Sequence, residues 1–169
     1  MSSERPRFIM RNANLWVDRV NQIGQASEIG FPSLERKVEE IFNAGMVVPI
    51  EVQMGYEMPG VSFKMTSFDP QMLKLFGLAV GSETELMATA ATTDDDGTMH
   101  SQVAYLRGFI KKTEMDSHTR GSKAEVNYEF SFRYYKLEID GSPIYEVDPF
   151  NVSIGGVSQT QAERRAMLL

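Results

Sequence analysis

Apolar and polar residues alternate with a period of two through much of the chain, the pattern of strands with one dry and one wet face. From Ile50 to Met58, the apolar positions Ile50, Val52, Met54, Tyr56 and Met58 alternate with Glu51, Gln53, Gly55 and Glu57. After Pro59-Gly60 the pattern resumes, with Val61, Phe63 and Met65 set against Ser62, Lys64 and Thr66. Over residues 125–133, Val126, Tyr128, Phe130 and Phe132 face one way, and Glu125, Asn127, Glu129, Ser131 and Arg133 the other. Asp140-Gly141, two residues that tolerate positive φ, predicts a hairpin turn between strands at 135–139 and 144–147. The run Asp94-Asp95-Asp96-Gly97 predicts a second turn, between strands at 84–93 and 98–110. One helix is predicted from Asp69-Pro70 to Phe76. Asp69 suits the N-cap, Pro70 the first helical position, and Gly77 the stop. Its Met72, Leu73, Leu75 and Phe76 would dock on a sheet.

Residues 33–42 are in conflict. Leu34, Val38, Ile41 and Phe42 sit at helical spacing behind a capping Ser33, so the local pattern favours a helix. As a strand, Val38 and Phe42 would share a face with Glu40 between them, which is poor alternation.

Composition narrows the function classes. A chain of 169 residues with 42% hydrophobic and 24% charged residues is globular, and is expected to form one domain over 1–169. The absence of cysteine excludes disulfides, thiolate nucleophiles and cysteine-based metal sites, and two histidines cannot build a multi-histidine cluster within one chain. No stretch approaches the roughly 20 apolar residues of a membrane helix, and the start lacks the apolar run of a signal peptide. The expectation is a soluble protein made and kept in a cytoplasm. A net charge of −6 opposes a protein that grips nucleic acid, but not one that must avoid gripping it. The 11 methionines suit either core filling or an adaptable contact surface.

Candidate chemistry is sparse. The serine-hydrolase, phosphate-loop, dinucleotide and zinc-protease signatures do not occur. The acidic run at 94–97 lacks the downstream glutamate of a calcium loop, so it reads as a solvated turn. Asn151-Val152-Ser153 has the form of a glycosylation sequon, which means little without a secretory signal. His118, in a polar loop, and His100, beside a strand start, read as surface histidines. No catalytic, cofactor-binding or metal-ligating residue is expected, and no cofactor.

The order of several motifs carries a resemblance. The stretch from Phe31-Pro32-Ser33-Leu34 through Ala44-Gly45-Met46, followed by Pro49 to Glu57, resembles the opening half of the major tail tube proteins of contractile-tailed phages and R-type pyocins. Leu75-Phe76-Gly77-Leu78, Leu106-Arg107-Gly108-Phe109 and residues 134–149 are similar to positions further along that family. The similarity runs from about Asn14 to Leu169, behind an N-terminal extension at 1–13. Where the family usually carries Gly-Gly-Met, this chain has Ala44-Gly45-Met46.

The resemblance implies a mainly β fold: a small β-sandwich or half-open barrel with one α-helix and a long β-hairpin, assembling into hexameric rings stacked as a tube. It also settles the conflict at 33–42 in favour of strand. Residues 33–57 become a hairpin arm packing on neighbouring subunits, with Glu39, Phe42, Ala44, Gly45 and Met46 as candidate inter-subunit residues. The wet-face residues Glu51, Gln53, Glu57, Glu125 and Glu129 become candidates for the lumen. There, negative charge would repel a passing duplex over a Debye length of roughly 8 Å. Implied partners are the chain itself, a tail sheath protein, baseplate or initiator proteins and a tail terminator. DNA would transit without specific binding and no membrane would be entered. The implied location is a virion tail assembled in a bacterial host. The alternative from another class is a monomeric β-barrel whose Met and Phe residues line a pocket for a small apolar ligand.

Overall fold

The computed structural model describes residues 7–77 and 79–169. Leu78 of the 75–78 motif and the first six residues of the expected extension lie outside the described residues. The chain runs β1 (Ile9–Val17), β2 (Val20–Asn21), β3 (Ala26–Ile29), β4 (Glu35–Ile41), β5 (Ile50–Glu57) and β6 (Val61–Met65). Helix α1 (Pro70–Lys74) and a 3-10 turn (Leu75–Gly77) follow. Then come β7 (Thr84–Thr93), β8 (Met99–Met115), β9 (Val126–Ile139), β10 (Ser142–Asp148), β11 (Asn151–Ile154), β12 (Val157–Ser158) and α2 (Gln161–Ala166).

Ten strands form one antiparallel sheet, ordered β12-β11-β10-β9-β8-β7-β1-β2, with β6 on β9 and β3 on β6. Strand β9 is the spine. Its Val126–Phe130 half pairs with β6 and its Tyr135–Ile139 half with β10, while β8 runs along its other side. The β8–β9 ladder is broken by irregularities at Arg107/Gly108 and Ile110/Lys112. Such bulges bend and twist a ladder, and here they let one sheet curl around a single apolar interior.

The dry-face residues meet inside that curl. Leu15, Phe63, Met65, Met72, Val126, Tyr128 and Phe130 are essentially inaccessible. The Phe63 and Tyr128 rings stack at 5.1 Å between centroids. Helix α1 lays Met72 on this core, and its N-cap behaves as its sequence predicts, with the Asp69 carboxylate accepting from the Gln71 N–H at 2.9 Å. Both predicted turns form. Asp140 (φ 50°) and Gly141 (φ 77°) take the two positive-φ positions of a tight hairpin, and the Gly97 N–H donates to the Asp94 carbonyl at 3.0 Å.

Four features depart from the sequence reading. Residues 9–13, expected within an extension, belong to β1 and pair with β7. The strands expected at 125–133 and 135–139 are one strand, β9, and β8 continues past Ile110 to Met115. A second short helix, α2, follows β12. Its Gln-Ala-Glu-Arg-Arg-Ala sequence has no apolar stripe and buries no residue, so periodicity could not reveal it. His100 is not a free surface histidine. Its Nδ1 lies 2.6 Å from the Asp140 carboxylate, and Phe8 packs at 4.7 Å on its ring.

Candidate functional site

Among the described residues, strands β4 and β5 pair only with each other and stand outside the main sheet. All seven β4 residues are exposed. This is the segment whose local spacing favours a helix. A helix there would need a surface on which to bury Leu34, Val38, Ile41 and Phe42. Pairing with β5 satisfies the backbone instead and leaves Val38, Ile41 and Phe42 uncovered. At the tip, residues 42–49, the Met46 N–H donates to the Asn43 carbonyl at 3.0 Å, so Ala44 and Gly45 occupy the turn centre.

The arm is not a simple alternating ribbon. Its register slips between Lys37 and Val38, where β5 carries one extra residue at Met54-Gly55 and Gly55 adopts φ 145°. A bulge of this kind shifts the side-chain alternation by one position. Glu51 and Gln53, opposite Glu40 and Val38, therefore share a face with Tyr56, while Glu57 joins the face of Ile50 and Val52. The Arg36 guanidinium donates to the Gln53 side-chain oxygen at 3.3 Å on the first face, and Lys37 reaches Glu57 at 4.0 Å on the second. Glu51, Gln53 and Glu57 do not form one wet face. Glu39 lies opposite Val52, on the face of Ile41 and Ile50.

Glu125 and Glu129 belong to a different surface, the wet face of β3, β6, β9 and the end of β8. It is a field of paired charges. Lys64 meets Glu28 at 2.7 Å, Lys112 meets Glu114 at 2.9 Å and Glu129 at 3.9 Å, and Lys123 meets Glu125 at 2.8 Å. The Lys123 ammonium and the Ser27 hydroxyl hold the Glu125 carboxyl below its ordinary range, and Glu28 holds the Lys64 ammonium above its own. Each of these lysines faces a carboxylate, so the surface is polar and well hydrated without offering them as free cations. The structure separates the five lumen candidates into this group and the arm group.

A groove of about 1110 Å³ lies at the root of the arm, between β5 and the C-terminal segment. Its far wall starts from a polar knot centred on Asn151. The side-chain oxygen of Asn151 accepts from Ser158 at 2.6 Å and from Thr160 at 2.9 Å, and the Gln159 N–H donates to the Val152 carbonyl at 2.7 Å. Local sequence marks Asn151 only as a sequon. Its signal was the cluster of hydroxyl and amide residues at 151–160.

The methionines divide between the two expected roles: Met65 and Met72 are buried, while Met10, Met54, Met99, Met115 and Met167 are exposed. Among the described residues, no group of three or more His, Asp or Glu side chains is placed to hold a metal ion.

The sequence profile of the phage tail tube protein FII family matches residues 6–167. The tail tube protein of Escherichia phage P2 is 22% identical over 158 residues, covering 90% of this chain and 92% of that protein. The major tail tube protein of Serratia phage KSP20 is 24% identical over 142 residues, covering 84% and 83%. Among solved structures, a chain of the 6-fold symmetrised cryo-EM structure of the anti-feeding prophage baseplate superposes with a TM-score of 0.54. It shares 12% identity and covers 82% of this chain and 97% of that one.

Proposed function

The chain belongs to the phage tail tube protein FII family, a structural component of the virion tail, and from that premise we propose that six copies close into a ring and that rings stack into a conduit for DNA. The observation that carries this reading is the arm. A strand whose every residue is exposed, joined by an apolar tip and paired to nothing in its own main sheet, is stable only as a surface that other copies cover. The six-fold symmetry of the anti-feeding prophage baseplate, whose chain shares this fold, supports the ring number. Sheath, baseplate or initiator and terminator proteins complete the proposed set of partners, and assembly takes place in the cytoplasm of a bacterial host.

The β3–β6–β9–β8 face is the proposed lumen wall, with Glu125 and Glu129 on it. A wall whose cations are matched by carboxylates holds a passing duplex less, and on this face Lys64, Lys112 and Lys123 each have such a partner. Six copies of a chain of net charge −6 add a repulsive background. Glu51 and Gln53, bound up with the arm, are assigned to subunit contacts along with Glu39, Phe42, Ala44, Gly45 and Met46. The pocket-binding alternative is opposed by the core. The Phe63, Met65, Met72 and Phe130 side chains that would line such a pocket pack on one another in the core.

The test replaces Glu28, Glu125 and Glu129 by Lys in a DNA-containing particle. Tubes should retain normal appearance, while DNA release slows and becomes strongly dependent on salt. Release at the wild-type rate in both low and high salt would place this face on the outside of the tube.

A further inference from the structure

The groove at the root of the arm has two apolar walls with open space between them. One is β5, with Met54 and Tyr56, held by its ladder to β4. The other belongs to residues 161–169, with Met167 and Leu169. Met54 is 56% exposed, Met167 61% and Leu169 77%. The two walls differ in how they are held. Helix α2 buries no residue, and its N-cap hydroxyl, from Thr160, is engaged by Asn151 at 2.9 Å instead of by the helix. At its far end the segment closes on itself. The Leu169 N–H donates to the Arg164 carbonyl at 3.0 Å and the Leu168 N–H to the Arg165 carbonyl at 3.1 Å. This helix stop needs a left-handed residue, ordinarily glycine, and here Leu168 takes that strain at φ 61°. The turn leaves Met167 and Leu169 on the groove and Leu168 exposed. Residues 161–169 are therefore one short, self-closed piece joined to the sheet at Thr160.

Charge favours closing the gap. Residues 35–57 carry five glutamates against one arginine and one lysine, a net −3, while 161–169 carry two arginines against one glutamate, a net +1. The ion pairs formed among the described residues include neither Arg164 nor Arg165, and Arg164 lines the groove. We infer that residues 161–169 are a strap that closes on β5 of its own chain in the free subunit and keeps the arm from partners until it opens. The inference rests on the tube reading, in which other copies cover the arm, and adds a brake to it. Closure sets Met167 and Leu169 on Met54 and Tyr56, which removes apolar surface from water, and brings a net positive piece to a net negative arm. Only the open subunit offers its arm. A closed state favoured tenfold therefore raises the concentration needed for assembly about tenfold, without abolishing it. Dilute subunits stay single and concentrated ones assemble.

The chain has no cysteine, so introduced thiols report only the chosen positions. Met54→Cys with Met167→Cys places one thiol on each wall, both at exposed positions. Oxidised with diamide in dilute solution, this protein should form a disulfide within one chain, seen as a faster monomer band on non-reducing electrophoresis. The locked protein should not assemble, and reductant should restore assembly. Tyr56→Cys with Leu169→Cys serves if the first pair fails to fold. Thiols that react with maleimide yet form no intrachain disulfide would overturn the closure. A locked protein that assembles at the wild-type concentration would overturn the brake. In the opposite direction, Arg164→Glu with Met167→Ser should assemble at a concentration up to about tenfold below that of the wild type, followed by light scattering. A higher concentration would make the segment a contact between copies and overturn the strap. An intrachain disulfide in a protein whose wild type forms no oligomer at any concentration would overturn the tube reading, and with it the role of the strap though not its closure.

Discussion

Gly108 sits where β8 bends over β9, and replacing it with alanine tests whether that close crossing is real. A Cβ on Gly108 would lie 2.0 Å from the Ser131 carbonyl oxygen and 2.6 Å from the Phe132 Cα. Both atoms are backbone, so neither can rotate away, and the two strands must part by about 1 Å to restore ordinary contact distances. Overpacking of this kind costs about 1–3 kcal/mol. Weakening one or two flanking ladder hydrogen bonds adds about 1 kcal/mol each. A total near 3 kcal/mol lowers the melting temperature by about 6–12 °C in a protein of this size. Gly97→Ala is the matched control, because Gly97 has φ 87° and open space where a Cβ would go. It carries only backbone strain of about 1 kcal/mol, or about 2–4 °C. Thermal unfolding followed by circular dichroism at one fixed protein concentration separates the two, since assembly would otherwise shift the apparent midpoint. A Gly108→Ala protein melting within about 2 °C of the wild type would refute the crossing and, with it, the bend that divides β9 between two sets of partners.

Gly141→Val should lower stability by about 1–3 kcal/mol, entirely through strain at φ 77°, because nothing lies within 4 Å of the added Cβ. An unchanged melting temperature would contradict the turn. Deleting residues 44–48 should leave the circular dichroism spectrum and melting temperature nearly intact while abolishing polymerisation, whereas loss of folding would mean that the arm belongs to the core. The Asp140 carboxyl is held below its ordinary value of 3.8 by the Ser101 N–H and by His100. A carboxyl lowered on folding contributes stability above its unfolded value, and that contribution fades as pH falls through its folded value. Asp140→Asn should therefore melt lower than the wild type at neutral pH, with the gap closing in acid. A gap that persists at pH below the folded value would point to turn geometry in place of charge.

The sequence made the main sheet legible wherever alternation met an interior. The dry positions of β6 and of the Val126–Phe132 part of β9 alternate without interruption because both bury into one interior, and the phase shifts only at Arg133-Tyr134 before Tyr135. The Asp69 cap and the Asp140-Gly141 turn were legible because their conformational demands are local. The arm was not. Its apolar residues answer to surfaces outside the chain, so local spacing suggested a helix and only the resemblance supplied the strand. The sorting of Glu51, Gln53 and Glu57 failed at a single bulged residue, since a period-two pattern carries no sign of where one extra residue is inserted. The salt-bridged state of Glu125 and Glu129 depends on Lys112, Lys123 and a sheet register that no linear pattern records. The root groove joins β5 to a helix without periodicity, and so it emerged only in three dimensions.

The central claim is that this chain polymerises through its own surfaces. Electron microscopy of the purified wild-type protein, with no other tail component present, tests it most directly. Six-fold rings and stacked tubes of uniform width are the expected result. A particle that stays a 19.0 kDa monomer at high concentration, by microscopy and by light scattering on the same sample, would contradict it.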